Sequence, residues 1–113
     1  MIKLYKDIYG EALQYFGVST PTAFIIKCND IIVGMVDYEE YEDYVKIFYI
    51  RIEDVYRRQG IAKRVIESII SNNKGKYLYG DSLPGALEFW RSLGAEFDEE
   101  EDEEYLTPFH INC

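Results

Sequence analysis

The hydrophobic pattern changes period once, near residue 53, and that change constrains the fold more than any other feature of the sequence. Residues 44–52 (YVKIFYIRI) are β-branched or aromatic at nearly every position, the composition of a central strand covered on both faces. Beyond it, Ile61, Ala62, Val65, Ile66, Ile69 and Ile70 recur with helical spacing, while Lys63, Arg64, Glu67 and Ser68 take the opposite side. This predicts an amphipathic helix over residues 61–71, stopped by Asn72, Asn73 and Gly75. A strand that feeds a helix returns the chain to its sheet, so residues 76–80 (KYLYG) are predicted as the next, parallel strand.

The flanking segments fill in the rest of the fold. Residues 23–28 and 31–38 read as two strands joined by a tight Asn29-Asp30 turn, and residues 39–43 as a second turn. Residues 6–16 place Ile8, Ala12, Leu13, Tyr15 and Phe16 near one side of a helix interrupted by Gly10. Asp81, Ser82 and Pro84 signal a helix over residues 85–93, with Ala86, Leu87, Trp90 and Leu93 on one face. The tail reads as two strands around an acidic run, the second over residues 105–111, with Pro108 directing it to a sheet edge. Hairpin, meander and crossover together predict one α/β domain over residues 1–113, a mixed and mostly antiparallel sheet with helices on both faces.

Charge and composition exclude several functions. Residues 96–104 (EFDEEEDEE) hold eight acids, and without them the net charge of −9 falls to −1. The acidity is therefore local. With no basic stripe and a single histidine, His110, the chain is not expected to neutralise nucleic-acid phosphates. No apolar run reaches the ~20 residues of a membrane span, and no secretory signal opens the chain. Two cysteines, Cys28 and Cys113, form neither a CxxC nor a disulfide framework, which suits a reducing, cytoplasmic compartment and makes no zinc site.

The junction between the strand and the amphipathic helix reads IRIEDVYRRQGIAK (residues 50–63). Gly60 lets the backbone approach a ligand closely, and the helix that starts there carries unpaired N–H groups and about half a positive charge at its mouth. Arg57, Arg58 and Lys63 add full charges around the same point, so the junction is suited to a phosphate. Neither GxxxxGK[ST] nor GxGxxG occurs, which excludes the two commonest nucleotide loops.

Arg57-x-x-Gly60-x-Ala62 instead resembles the diphosphate loop of the GNAT superfamily of N-acetyltransferases. Residues 86–95 (ALEFWRSLGA) resemble that family's second signature, an alanine followed by an aromatic pair and Leu-Gly. The resemblance covers residues 22–97, and the remaining strand pair extends it to residue 111. It implies that Arg57, Arg58, Gln59, Gly60, Ile61, Ala62 and Lys63 hold the diphosphate of acetyl-coenzyme A or coenzyme A. It also implies that main-chain groups of Ile50 and Ile52 hold the pantetheine arm, with the Ile52 N–H as donor to the reacting carbonyl.

In such a family a primary amine, either a small amine, a polyamine or a basic peptide, attacks the thioester directly in a ternary complex. An alkylammonium with a pKa of ~10.4 must first lose a proton, for which Glu53 is the first candidate base and Asp37 the second. Where the family often has a tyrosine to protonate the thiolate, this chain has Trp90, so Tyr105 and Tyr79 are the candidate acids. Ser82 stands beside Leu83, where an asparagine often contacts the cofactor. Only one helix precedes the first hairpin, where two are common; the opened wall suits a protein acceptor or assembly as a homodimer. The acidic run is expected near the acceptor end, where its field would concentrate a cationic amine. Two other readings compete: a catalytically impaired coenzyme A sensor, favoured by Trp90 and Leu83, and an acidic interaction module docking on a basic partner.

Overall fold

The computed structural model describes residues 1–102 and 104–113; Glu103, within the acidic run, lies outside the described residues. Seven strands form one sheet: β1 (Ile2–Lys6), β2 (Ala23–Cys28), β3 (Ile31–Glu40), β4 (Tyr44–Ile52), β5 (Tyr77–Ser82), β6 (Glu96–Phe97) and β7 (Thr107–Asn112). Their order across the sheet is β1-β2-β3-β4-β5-β7-β6. Every neighbouring pair is antiparallel except β4 and β5, as the crossover through helix α2 (Ile61–Ser71) requires. The mixed, mostly antiparallel α/β sheet expected from the sequence is the one found.

Alternation along the strands divides the sheet into two unequal faces. On one, α2 lays Ile61, Val65, Ile66 and Ile69 against Ile26, Val36, Val45, Ile47, Ile52 and Leu78, while Trp90 from helix α3 (Leu87–Ser92) stacks on Phe109 at 4.5 Å. Full burial of each of these large side chains contributes about 1.5–3 kcal/mol. On the other face helix α1 (Glu11–Phe16) covers only Ala23, Ile25 and Met35, with its own Ala12 and Phe16. The helices thus lie on both faces, but the second face is covered only over β2 and β3.

Several expectations need correction. The first element is a strand, not a helix beginning at residue 6: Ile2 and Leu4 alternate with exposed Lys3 and Tyr5, and β1 pairs with β2 along its full length. Gly10 does not interrupt a helix but starts one in the left-handed region, and the Asp7 carboxylate accepts the free N–H groups of Glu11 and Ala12 at 2.8 and 3.0 Å. β4 is central but not covered on both faces, since Tyr44, Phe48 and Tyr49 are exposed. Pro108 does not put β7 at an edge. Its carbonyl faces β6, accepting from the Asp98 N–H at 2.9 Å, so the N–H it lacks is missing on that side, where the β6 ladder stops, and the pairing with β5 is complete.

The Asn29-Asp30 turn forms as expected, both residues left-handed, as a two-residue hairpin requires. Between β3 and β4 the register slips: Asp37 faces Tyr49 and Tyr38 faces Ile47, leaving Phe48 as the extra residue of a bulge. Beyond the bulge the two strands close tightly at Gly34, where any Cβ would overlap the Arg51 carbonyl oxygen. Gly34→Ala is therefore expected to cost about 1–3 kcal/mol by overpacking, whereas Gly85→Ala, with nothing within 4 Å of its Cβ position, should be nearly neutral. Urea denaturation of both variants checks this, and equal midpoints would contradict it.

Candidate active site

β4 keeps β3 as a partner over its whole length but pairs with β5 only at Tyr44, Val45 and Lys46, opposite Tyr77, Leu78 and Tyr79. Past Lys46 no ladder joins β4 to β5, and a wedge opens between them with its vertex at Lys46 and Tyr79. The bulge at Phe48 reorients β4 just past the last paired residue, while β5 follows β7 along its whole length on its other edge. The mouth of the wedge lies at the C-terminal ends of both strands, beside residues 53–60.

Backbone groups line this wedge by alternation. The Glu53 N–H donates to the Val33 carbonyl at 2.8 Å, so Glu53 and Arg51 turn their main chain to β3, and Ile50 and Ile52 turn theirs to the open side. The Ile52 carbonyl there is already occupied by Arg57 Nε at 3.1 Å, and Arg57 Nη2 lies 3.1 Å from Asp54 Oδ1. Arg57 thus ties a 3-10 turn (Asp54–Tyr56) to the end of β4. This use of the first arginine of the motif is not apparent in the sequence, which counts it only as a cation.

At the mouth, Arg58 (φ 65°) and Gly60 (φ 74°) both adopt the left-handed conformation, and α2 begins directly after Gly60. No side chain caps the helix. Arg64 is the first residue whose N–H reaches back, to the Gly60 carbonyl at 3.1 Å, so the N–H groups of Ile61, Ala62 and Lys63 have no partner within the helix. Nothing lies within 4 Å of a Cβ at Gly60, and Arg58, Gln59 and Lys63 are exposed. A cationic, donor-rich cradle open to solvent fits a diphosphate in charge and chemistry.

The remaining candidates are spread along the wedge. Glu53 is half-buried and sits at the mouth, next to the cradle. Asp37 is buried, accepts the Thr22 hydroxyl and faces Tyr49 across the ladder beside the bulge, nearer the vertex. Tyr49 and Glu53 are four residue steps apart along the chain, roughly 13 Å at 3.3 Å per step, so the two carboxylates cannot act on one proton. Ser82 is fully buried, its hydroxyl donates to the Leu83 carbonyl at 2.9 Å, and it caps no helix. Trp90 is packed in the core. Tyr105 is exposed on the loop leading into β7, at the mouth end, because Thr107 lies opposite Ser82.

The described part of the acidic run starts at Glu96, opposite His110 and so level with Tyr79, continues toward the mouth end, and is partly engaged. Arg91 pairs with Glu88 and Glu101, His110 contacts Asp98 and Glu96, and Asp102 accepts the N–H groups of Glu104 and Tyr105. A groove of about 410 Å³ runs along α2 from Lys63, which it shares with the cradle, past Glu67, Ser71 and Lys74 to Ser92 and Cys113. Among the described residues no group of acidic, histidine and cysteine side chains could hold a metal, and no helix is long and apolar enough to cross a membrane.

Comparison with known proteins places this geometry. A search of curated proteins finds no match by sequence. Among solved structures, a GNAT family acetyltransferase from Elizabethkingia anophelis with acetyl-CoA bound superposes with a TM-score of 0.74 at 13% identity, over 100% of this chain and 97% of that one. A diaminobutyrate acetyltransferase from Paenibacillus lautus, in complex with its substrate and coenzyme A, gives 0.69 at 15% identity over 99% and 93%. N-acetylglutamate synthase from Neisseria gonorrhoeae gives 0.76 at 11% identity, with 99% of this chain covering 33% of that one. At such identities the superpositions show the fold. The sequence itself matches the acetyltransferase (GNAT) family model over residues 3–95: the chain belongs to the acetyltransferase (GNAT) family, whose members transfer acetyl groups from acetyl-coenzyme A.

Proposed function

We propose that this chain is an acetyl-coenzyme A dependent N-acetyltransferase, one domain over residues 1–113, that acetylates a primary amine by direct attack within the β4–β5 wedge. The observation that carries this reading is the continuity of a phosphate-suited cradle at the mouth with unpaired β4 main chain leading inward. Bound acetyl-coenzyme A supplies an activated thioester. In this reading the N–H groups of Ile61, Ala62 and Lys63 hold the diphosphate, together with the side chains of Arg58 and Lys63. Arg57 acts as a positioning residue that fixes the loop to β4, and Ile50 and Ile52 hold the arm through their main chain.

Phosphates at the mouth put the reacting carbonyl toward the vertex. That favours Ile50, nearer the vertex than Ile52, as the N–H donor to the carbonyl oxygen. It also favours Asp37 over Glu53 as the group that takes the proton from the amine. Tyr79, the last β5 residue paired with β4, is better placed than Tyr105 to return a proton to the thiolate. For the acceptor, the small cover provided by α1 and the local excess of acid support a cationic amine, and diaminobutyrate, the substrate of one fold neighbour, is a small amine with which to begin. The burial of Trp90 favours a second reading, a coenzyme A sensor without turnover; it requires coenzyme A binding with no thiol release.

Two measurements test this reading. At one hundred times its dissociation constant, coenzyme A should stabilise the wild-type protein by about 2.7 kcal/mol, read as a rise in melting temperature. Arg58→Glu with Lys63→Glu should weaken that binding by roughly ten- to hundredfold, the worth of a charge-assisted contact; an unchanged affinity would remove the cradle from the reading. In a thiol-release assay over diaminobutyrate, polyamines and basic peptides, Asp37→Asn should lower kcat by about 10²–10⁴ with coenzyme A affinity intact. Glu53→Gln should have little effect, and the opposite ranking would return the base to Glu53.

A further inference from the structure

The sheet face left open by α1 carries an uncovered aromatic array. Tyr41 stacks on Tyr44 at 4.6 Å, Tyr44 meets Tyr79 edge-on at 5.8 Å, Tyr79 lies 6.0 Å from Tyr77, and Tyr77 meets His110 edge-on at 5.8 Å. Each of the four tyrosines is more than a third exposed. Carboxylates rim the array: Glu39 accepts the Tyr41 hydroxyl at 2.7 Å, which holds that phenol above the ordinary tyrosine range, and Asp98 and Glu96 lie 2.5 and 3.2 Å from the ring nitrogens of His110. The two nearby cations are already committed, Lys46 to Asp81 at 3.7 Å and Lys76 to the Tyr41 carbonyl at 2.8 Å.

From this arrangement we propose that the β4–β5–β7 face is a docking surface for a lysine- and arginine-bearing segment of a partner protein. The occupant follows from charge complementarity. Tyrosine faces attract cations through their quadrupoles, and the carboxylate rim reinforces that attraction. A second copy would bring two such rims together on chains of net charge −9, and a nucleic acid would meet the same repulsion. From Tyr44 on β4 to His110 on β7 the array crosses two inter-strand spacings, about 10 Å, which some three residues of extended peptide span. The surface shares Tyr79 with the wedge vertex, but its binding does not need the cradle.

The test is calorimetric titration of the full chain with a short peptide of alternating arginine and glycine, and with its glutamate counterpart. The arginine peptide should bind and the glutamate peptide should not. Tyr44→Ala with Tyr77→Ala should weaken binding about tenfold or more, as expected for two cation–π contacts, whereas the corresponding Phe pair should retain it. Should the alanine pair fold poorly, Glu96→Gln with Asp98→Asn, exposed at the rim, should produce a comparable loss. The coenzyme A response is measured on every variant, so failure of this surface is read separately from failure of the cradle. Absence of binding by the arginine peptide, or binding indifferent to both sets of variants, would overturn the proposal. So would sedimentation showing a wild-type dimer that the Tyr44→Ala, Tyr77→Ala pair dissolves.

Discussion

The structure turns on an unequal division of hydrogen bonds around one strand. β4 gives its β3-facing groups a partner from end to end but leaves most of its other edge unpaired, because β5 departs after three residues to follow β7. Buried backbone N–H and C=O groups are costly to leave unsatisfied, so a strand with an open edge inside a sheet is a place where a polar chain can dock. The bulge at Phe48 and the close approach at Gly34 hold that edge open from the β3 side. Arg57 stiffens it at the mouth by occupying the Ile52 carbonyl.

Opposite charges meet around the wedge, a cationic cradle and an acidic loop both lying at its mouth. At the mouth the unpaired N–H groups of α2, with Arg58 and Lys63, form a cationic cradle. The loop toward β7 carries the acidic run, of which Arg91 pairs with Glu101 and His110 contacts Asp98 and Glu96. Surface ion pairs of this kind contribute little to stability, so these acids matter chiefly through their field. A site with an anion-binding mouth and an acidic surround suits an anionic cosubstrate and a cationic acceptor meeting in one cleft, which is the chemistry of the proposed reaction.

Much of this was legible from residue patterns. The change of period near residue 53 located β4 and α2, the Asn29-Asp30 pair marked its hairpin, and the RRQGIA motif located the cradle, because these features are local in sequence. What was not legible depended on long-range pairing. β1 is recognisable only once β2 is present to pair with Ile2 and Leu4, and Gly10 reads as a defect until Asp7 is seen capping the helix behind it. Pro108 signals an edge by itself, yet β6 lies outside β7 and takes the side that lacks the N–H. The aromatic richness of β4 suggested burial on both faces, but with one short helix available the tyrosines remain at the surface. The position of Asp37 beside the bulge, and of Glu53 at the mouth, likewise depends on strand pairing that no single segment encodes.

Amide NMR of the labelled protein during titration with coenzyme A tests the central claim most directly, because it reports each backbone N–H by itself. The account predicts that the amides of Gly60, Ile61, Ala62 and Lys63 shift together with those of Ile50 and Ile52, tracing the cradle and the open edge of β4 as one binding path. Perturbation confined to the groove along α2, at Glu67, Ser71 and Ser92, with the β4 amides unmoved, would contradict it.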